Sequence, residues 1–183
     1  MTLIAITGAS GIVLAIELLK KLKEKKLNTE LIISKAAKLV INSETAYSIS
    51  EINDLATKKY DVDDLTAPPA SGSYKIDAMV IVPCSMKTLA AIANGFTDNL
   101  ITRAADVTIK EKRKLILVVR ESPFNAIHLE NMLKLARLGV IIFPPIPSFY
   151  IKPQNIDELV EHSVGRILDQ LGIESNIKRW GPE

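Results

Sequence analysis

The sequence predicts an α/β fold, a three-layer sandwich in which helices cover both faces of a mostly parallel β-sheet. Short apolar runs rich in β-branched residues recur along the chain, and each is too short for a helix. Segments with helical spacing of apolar residues separate these runs, and strands that alternate with helices form parallel sheets. Because the runs are apolar throughout, they are typical of strands buried on both faces. We therefore expect a Rossmann- or flavodoxin-like sheet.

A glycine-containing turn follows the first predicted strand. The strand covers residues 3–6, the turn residues 7–11, and Ile12 begins a helix. Backbone N–H groups of such a turn and the positive end of the helix favour a phosphate. The spacing matches neither a dinucleotide fingerprint nor a P-loop, so a tight turn that merely needs glycine is the alternative. Ser10 favours the ligand-binding interpretation, because the turn alone does not require a hydroxyl.

The next segments are a strand at residues 29–33 and a helix at residues 36–43. Ser34 is a plausible N-cap of that helix, and this structural role competes equally with ligand contact. Residues 47–74 are the least regular part of the chain, and Ser50 resembles the start of a short capped helix. The paired prolines and glycine in residues 67–73 predict a loop, which we interpret as either a mobile lid or a linker.

Two central strands end in polar residues that predict a pocket. Residues 79–82 form a buried strand, followed by the polar turn 83–88 and a helix that stops at Asn94-Gly95. The apolar run 115–119 ends abruptly in Arg120-Glu121. Because ligands bind at the carboxyl edge of open α/β sheets, these hydroxyls, cations and the carboxylate predict an anion-binding pocket there.

The last third of the chain continues the pattern. Residues 127–136 predict an amphipathic helix that Gly139 ends, and residues 140–143 predict a buried strand. The proline-rich loop that follows loses little conformational entropy on folding. It would therefore hold Tyr150 in a fixed position at the edge of the sheet. Asn155 or Asp157 starts the final helix, Ile156–Leu171. The lone His128 is interpreted as structural, and the isolated Trp180 is interpreted as a subunit contact.

Composition limits the classes of protein to consider. The 183 residues suit one domain, 1–183, and 48% apolar with 24% charged residues is ordinary for a globular protein. A net charge of +2 gives no reason to expect nucleic-acid binding. The single cysteine, Cys84, excludes an intramolecular disulfide, fits a reducing cytoplasm and is interpreted as a packing residue. The apolar runs are too short for a membrane span and the start of the chain has no basic leader, so we expect a cytoplasmic protein.

Nine short motifs occur in order along nearly the whole chain. They are T-G-A-S-G at 7–11, I-S-K-A-A at 33–37, A-P-P-A-S-G-S at 67–73, P-C-S-M-K-T at 83–88, N-L-I-T-R-A-A-D-V at 99–107, R-E-S-P-F at 120–124, H-L-E-N-M-L-K-L at 128–135, P-x-F-Y ending at 150 and R-W-G at 179–181. Together they resemble the UbiX/Pad-type flavin prenyltransferases of the homo-oligomeric flavin-containing Cys decarboxylase superfamily. Each motif alone is weak, but nine at matching spacing are specific.

The resemblance implies an activity and a cofactor. This family joins a dimethylallyl group from dimethylallyl phosphate to reduced FMN, and the product, prenylated FMN, is the cofactor of UbiD-type decarboxylases. The resemblance implies that FMN contacts ten residues: Gly8, Ala9, Ser10, Ser34, Ser85, Met86, Lys87, Thr88, Arg103 and Arg120. It also implies a homododecamer in which a neighbouring subunit completes the pocket.

The resemblance places the prenyl phosphate against Lys110, Glu121, Tyr150 and Arg166. Fixed cations and donors can hold a departing phosphate without a metal, and no metal site is predicted. The catalytic candidates are Ser10, Glu44, Glu121 and Lys110. Glu121, Ser10 and the released phosphate are candidates for the proton transfers, and the division of roles among them stays open, as does the choice between monophosphate and diphosphate donors.

Two alternatives remain. One is an FMN-dependent decarboxylase of peptidyl-cysteine or pantothenoylcysteine type, whose motifs differ and which carries a histidine before the central strand. Here the only histidines, His128 and His162, come after it. The other is a non-enzymatic FMN carrier, which would not explain a second anion-binding group made of Lys110, Tyr150 and Arg166.

Overall fold

The computed structural model describes residues 1–181, and Pro182 and Glu183 lie outside this range. It contains a six-stranded sheet in the order β3-β2-β1-β4-β5-β6, with every neighbouring pair parallel. The strands are β1 (Thr2–Ile6), β2 (Thr29–Ile33), β3 (Lys58–Tyr60), β4 (Ala78–Cys84), β5 (Lys114–Val119) and β6 (Ile141–Ile142). This confirms the predicted α/β sheet. The strand order reverses between β1 and β4, so the topology is of the Rossmann type.

In the described range, 1–181, seven α-helices cover the two faces of the sheet. They are α1 (Ile12–Glu24), α2 (Lys35–Glu44), α3 (Ile49–Asn53), α4 (Met86–Ala93), α5 (Leu100–Lys110), α6 (Ala126–Arg137) and α7 (Ile156–Leu171). One apolar cluster joins one face of the sheet to α1, α2, α3 and α7, and a second joins the other face to α4, α5 and α6. The three predicted layers are therefore confirmed.

The central strands are apolar because both faces of the sheet are covered by helices. Every residue of β1 and β4 is buried, and side chains alternate between the two apolar clusters: Ile4 and Ile6 face one, and Leu3 and Ala5 face the other. The apolar surface removed from water on both faces stabilises this part of the fold, at about 25 cal/mol per Å².

Several predicted boundaries are wrong in detail. β4 continues through Pro83 to Cys84, beyond the predicted end at residue 82, and α4 begins at Met86, earlier than predicted. The N-cap of α3 is Ser48, which forms a capping box with Glu51, and not Ser50. Polar and proline residues suggest that an element has ended, but a strand can continue wherever its neighbours still pair with it.

The two outer strands were predicted least well. The short strand β3 has two adjacent lysines, Lys58 and Lys59, so its sequence carries no apolar signal. Lysines on an edge strand discourage pairing with another chain. The predicted buried strand at residues 140–143 is a two-residue edge strand, Ile141–Ile142, which is only half-buried because it has one neighbour.

The loop at residues 67–73 contains a 3₁₀ turn, Pro68–Ala70, and lies against α5. Arg103 Nε donates to the carbonyl oxygen of Ala70 at 3.1 Å. Arg113 donates to the carbonyl oxygens of Gly72 and Tyr74, each at 2.7 Å. These bonds attach the loop to α5 and to the segment between α5 and β5.

Helix α6 is amphipathic as predicted, but its outward face is also partly apolar. Leu135 is buried, whereas Ile127, Leu129 and Leu133 are more than half exposed. Gly139, with φ of 85°, follows the helix. In the described part of the chain, none of the helices has the length and apolar character that crossing a membrane requires.

Candidate functional site

The carboxyl ends of β1 and β4 are tied together by one threonine. Thr7 Oγ1 donates to the carbonyl oxygen of Pro83 at 2.7 Å and accepts from the backbone N–H of Ser85 at 2.9 Å. Thr7 is buried, so these bonds are shielded from water. Because two of the predicted binding segments begin at Thr7 and Ser85, this link fixes their relative position.

A cavity of about 440 Å³ lies beside this link at the carboxyl edge of the sheet. Of the residues that the resemblance assigns to FMN, five line it: Gly8, Ser34, Ser85, Lys87 and Thr88. Asp63, which also lines the cavity, forms an ion pair with Lys35 at 2.6 Å. The volume is in the range of small-molecule sites, about 300–1,000 Å³.

Three helices begin at the wall of this cavity. Ser34 caps α2 by accepting from the N–H of Ala37 at 3.0 Å, and Ser85 caps α4 by accepting from the N–H of Thr88 at 3.3 Å. Asn99, the N-cap of α5, accepts from two N–H groups of that helix. The positive ends of three helix dipoles therefore converge on one cavity, which favours an anionic group such as a phosphate.

Gly8 brings the first turn into direct contact with the start of α2. A Cβ atom added at Gly8 would lie 2.5 Å from Ala36 Cβ, much closer than the 3.5–4.0 Å of a favourable carbon–carbon contact. Only glycine allows this approach. Gly8 and Ser34 can therefore line the same cavity.

A second, smaller cavity of about 210 Å³ lies on the other side of the first turn. Ser10 and Arg120, both assigned to FMN by the resemblance, line it together with residues of α7 that include Leu159 and Ser163. The assigned FMN residues thus divide between two adjacent cavities, with the turn at residues 7–11 between them. Ala9 lies in that turn, and Met86 is the first residue of α4.

Glu44 caps the start of α1 from the end of α2. Its Oε2 accepts from the backbone N–H of Gly11 at 2.9 Å and from that of Ile12 at 3.3 Å. Partial desolvation raises the pKa of Glu44, whereas hydrogen bonds from Ser10 and the two N–H groups lower it more. The charge of Arg120 acts in the same direction, so the pKa of Glu44 lies below its usual value.

This geometry corrects the predicted phosphate site at α1. The first N–H groups of that helix already donate to a carboxylate of the same chain, and a phosphate at the same atoms would be repelled by it. The helix N-termini of α2, α4 and α5 remain as the part of the cavity that suits a phosphate.

The polar residues after β5 lie at the same edge. The N–H of Arg120 donates to the carbonyl oxygen of Cys84 at 3.1 Å, which continues the pairing of β4 and β5. The side chain of Glu121 is exposed, and its Oε1 accepts from the N–H of Ser122 at 3.0 Å. Burial raises the pKa of the Cys84 thiol far above its usual value. Cys84 is therefore inert, in keeping with a packing role.

Tyr150, in the 3₁₀ turn Phe149–Ile151, and Arg166, on α7, belong to a cluster that also includes the C-terminal segment. The Tyr150 hydroxyl lies 3.0 Å from His162 Nε2. Arg166 donates to Asp169 at 3.2 Å, and Arg179 makes a two-pronged pair with the same carboxylate at 2.8 and 2.9 Å. The hydrogen bond from Arg179 chiefly lowers the pKa of Asp169, to about 2. The Arg179 fork is taken up by Asp169, whereas Arg166 uses only Nη1 for that carboxylate. The remaining N–H groups of Arg166 and the Tyr150 phenol suit a phosphate.

Lys110 is not near these residues within one chain. It ends α5, whose first turn lines the large cavity, and the helix is about 16 Å long. At that far end Lys110 pairs with Glu111 and lies against Gly72. Arg103, the fourth residue of α5, pairs with Asp106 at 3.0 Å and donates to the loop at Ala70. The structure therefore brings together only part of the predicted site.

Three residues that hold others in place, Thr7, His162 and Asp169, are not among the predicted site residues. Thr7 was treated only as part of a turn, and His162 and Asp169 were given no role. Their signal was present: His162, Arg166 and Asp169 are spaced by four and three residues, so they share one face of a helix. His128 contributes to the capping box of α6 with Asn125, which supports its structural interpretation. Within residues 1–181, no group of three acidic, histidine or cysteine side chains could hold a metal ion.

Known proteins match this chain over its whole length. The family model described as Flavoprotein matches residues 1–168. Flavin prenyltransferase UbiX of Methanocaldococcus jannaschii is 54% identical over 180 residues, which are 98% of this chain and 97% of that protein. Among solved structures, AnUbiX (PadA1) in complex with FMN and dimethylallyl pyrophosphate superposes with a TM-score of 0.98 at 46% identity, covering 100% of this chain and 97% of the other.

A second structure is similarly close. It is a dodecameric FMN-dependent UbiX-like decarboxylase of Escherichia coli O157:H7, with a TM-score of 0.97, 48% identity and full coverage of both chains. Identity near one half over nearly the whole chain and superposition of the complete fold show the family. The chain belongs to the flavoprotein family and, within it, to the UbiX/Pad-type flavin prenyltransferases.

Proposed function

We propose that this protein joins the dimethylallyl group of dimethylallyl phosphate to reduced FMN and so makes prenylated FMN. The observation that carries the proposal is the presence of two separate anion-suited groups of side chains. One is the large cavity, where three helix N-termini converge. The other is the cluster of Tyr150, Arg166 and Arg179. A flavin phosphate and a prenyl phosphate need one such group each.

The residues at the large cavity fit FMN. Hydroxyls of Ser34, Ser85 and Thr88 and the cation of Lys87 line it. Because the Ser85 hydroxyl donates to Thr88 Oγ1 at 3.1 Å, the hydroxyl hydrogens of Ser34 and Thr88 are the ones that can donate to a ligand. These groups and the helix N-termini would hold the flavin phosphate. When bound and reduced, FMN supplies an electron-rich ring that accepts the prenyl group. The turn at residues 7–11, which contributes residues to this cavity and to the smaller one, would contact the flavin.

The second group would hold the prenyl phosphate as it departs. Arg166 can grip a phosphate with a planar fork of donors, and Lys110 adds a compact charge. Fixed donors of this kind stabilise the charge that develops as the allylic C–O bond breaks. Holding both reactants in contact also removes much of the entropic barrier.

Lys110 and Arg103 would reach the site from neighbouring copies. Within one chain Lys110 lies at the opposite end of α5 from the large cavity. The exposed apolar side chains Ile127, Leu129 and Leu133 of α6 provide a surface that assembly would bury. We propose a homododecamer, as in the E. coli relative.

The carboxylates have different roles in this proposal. Glu44 is held ionised against the start of α1, so it positions the turn that carries Ser10. Glu121 is exposed at the edge of the sheet and is free to move a proton, with Ser10 as a relay. Replacing Glu121 by Gln should stop closure of the new ring, and unchanged ring closure would remove Glu121 from the mechanism.

The product would pass to a UbiD-type decarboxylase in the cytoplasm. Neither the recipient nor the compartment is needed for the chemistry, and a buried single thiol, Cys84, suits a reducing environment.

An anaerobic incubation tests the function. The FMN-loaded, reduced protein is mixed with dimethylallyl phosphate or diphosphate, and the flavin is analysed by mass. A prenyl adduct is expected from wild type and not from Arg166→Met, whereas Lys25→Met, which removes a charge at the far end of α1, should behave as wild type. FMN bound without any adduct would indicate a carrier, and carbon dioxide released from a cysteine peptide would indicate a decarboxylase.

A further inference from the structure

A buried histidine contacts the hydroxyl of Tyr150. His162 lies on α7 and is only 4% exposed. Its Nε2 is 3.0 Å from the Tyr150 hydroxyl and 3.2 Å from the carbonyl oxygen of Lys178. The Tyr150 and His162 rings pack edge to face with centroids 5.5 Å apart. His162 therefore joins Tyr150, α7 and the C-terminal segment at one nitrogen atom.

The two neighbours of Nε2 determine where the protons lie. A carbonyl oxygen can only accept, so the contact with Lys178 is favourable only if Nε2 carries a hydrogen. Without that hydrogen, two lone pairs would face each other in a buried place, at the cost of an unsatisfied carbonyl. With it, Nε2 donates to the Lys178 carbonyl oxygen and to the Tyr150 oxygen. The Tyr150 oxygen is then an acceptor, and its own hydrogen points away from His162.

We propose that His162 is a positioning residue for the prenyl phosphate. By donating to the Tyr150 oxygen it directs the phenolic O–H outward and makes it a stronger donor, since hydrogen bonds in a chain polarise one another. Tyr150 is only half-buried, so a phosphate can reach that hydrogen. The inference rests on the proposed function in one respect, the contact of Tyr150 with the phosphate ester.

Two substitutions separate hydrogen bonding from packing. His162→Phe keeps a flat ring but cannot donate. His162→Gln loses the ring but places an N–H donor near the position of Nε2. If the role of His162 were only to fill space, Phe would serve better than Gln. If its role is to donate, Gln would serve better than Phe.

The first measurement is calorimetric binding of dimethylallyl phosphate to protein loaded with oxidised FMN, in which no transfer occurs. One hydrogen bond predicts that His162→Phe weakens binding by about 3- to 10-fold, while His162→Gln stays within about 2-fold of wild type. FMN affinity should not change in either variant. Unchanged ester binding in His162→Phe, or equal losses in the two variants, would overturn the inference.

The second measurement is a double-mutant cycle with Tyr150→Phe. In that background His162→Phe should add no further loss of ester affinity and no further rise in KM, because the hydroxyl through which His162 acts is gone. An additional loss would show that His162 acts independently of Tyr150. Another outcome is that wild type and the two His162 variants show the expected ratios of ester affinity while wild type forms no prenyl adduct. In that case the proposed function fails and the inference about His162 stands.

Discussion

Replacing Gly8 by alanine should weaken FMN binding without unfolding the protein. The added Cβ would lie 2.5 Å from Ala36 Cβ and 3.3 Å from the Ala36 carbonyl carbon, which belong to a helix start and cannot rotate away. Overpacking of this kind costs about 1–3 kcal/mol. The strain can be relieved only if the turn at residues 7–11 moves away from α2. That movement separates Gly8 from Ser34 on the wall of the large cavity.

The strain must appear in one of two measurements. If the turn stays in place, the FMN-free protein loses the full 1–3 kcal/mol, which for a chain of this size lowers Tm by about 2–12 °C. If the turn moves, FMN binding must restore it, and Kd rises by about 5- to 150-fold. Thermal melting of the FMN-free protein and an FMN titration followed by flavin fluorescence measure the two effects.

A compensating substitution provides the matched control. Ala36→Gly removes the methyl group that Gly8→Ala would meet, at a helix-propensity cost of about 1 kcal/mol. The double variant should bind FMN nearly as tightly as wild type, although it melts at a lower temperature. If Gly8→Ala alone changes neither Tm nor Kd, or if it raises Kd and the double variant binds FMN no better than Gly8→Ala, the reasoning from this contact is refuted.

Two further predictions concern groups away from that turn. Asp169→Asn should lower the free energy of unfolding at pH 7 by about 1–2 kcal/mol, because the folded pKa near 2 lies below the usual 3.8. The carboxylate contributes this stability above its usual pKa and loses it as pH falls toward 2, so denaturant curves of wild type and variant should converge at acid pH. Cys84→Ala should keep FMN affinity, since the thiol is buried and its raised pKa keeps it protonated; a variant that purifies without FMN would contradict this.

The fold was predictable because its signals are local. Five of the six strands contain apolar runs or β-branched residues. The structure also confirms Ser34 and Asn155 as the N-caps of their helices. Strand β3 has no apolar pattern, since two of its three residues are exposed lysines. It forms because it pairs with β2, and such pairing cannot be read from the local sequence. The edge strand β6 was predicted one residue too long at each end, because an apolar run does not show how many neighbouring strands it will have.

The site was predictable in composition but not in arrangement. The motifs contain the hydroxyl and cationic residues of the site. Helical spacing also places His162 and Asp169 on the same face of α7 as Arg166. No local pattern shows that the carboxylate of Glu44, 33 residues away from Gly11, accepts from its N–H. Nor does spacing show that the assigned FMN residues face two cavities, since Gly8 and Ser10 are two positions apart and lie on opposite sides of one turn.

The separation of Lys110 from Arg166 gives a test of how the site is completed. If a working site takes Lys110 from one copy and Arg166 from another, Lys110→Met and Arg166→Met are each inactive alone. In mixed assemblies of equal amounts, a site is intact when its lysine comes from an Arg166→Met copy and its arginine from a Lys110→Met copy. Random mixing then restores about a quarter of the sites. If both residues serve the site of their own chain, every copy lacks one of them and mixing restores nothing. Refolding the two variants together, and separately as the control, distinguishes these cases by the yield of prenylated flavin.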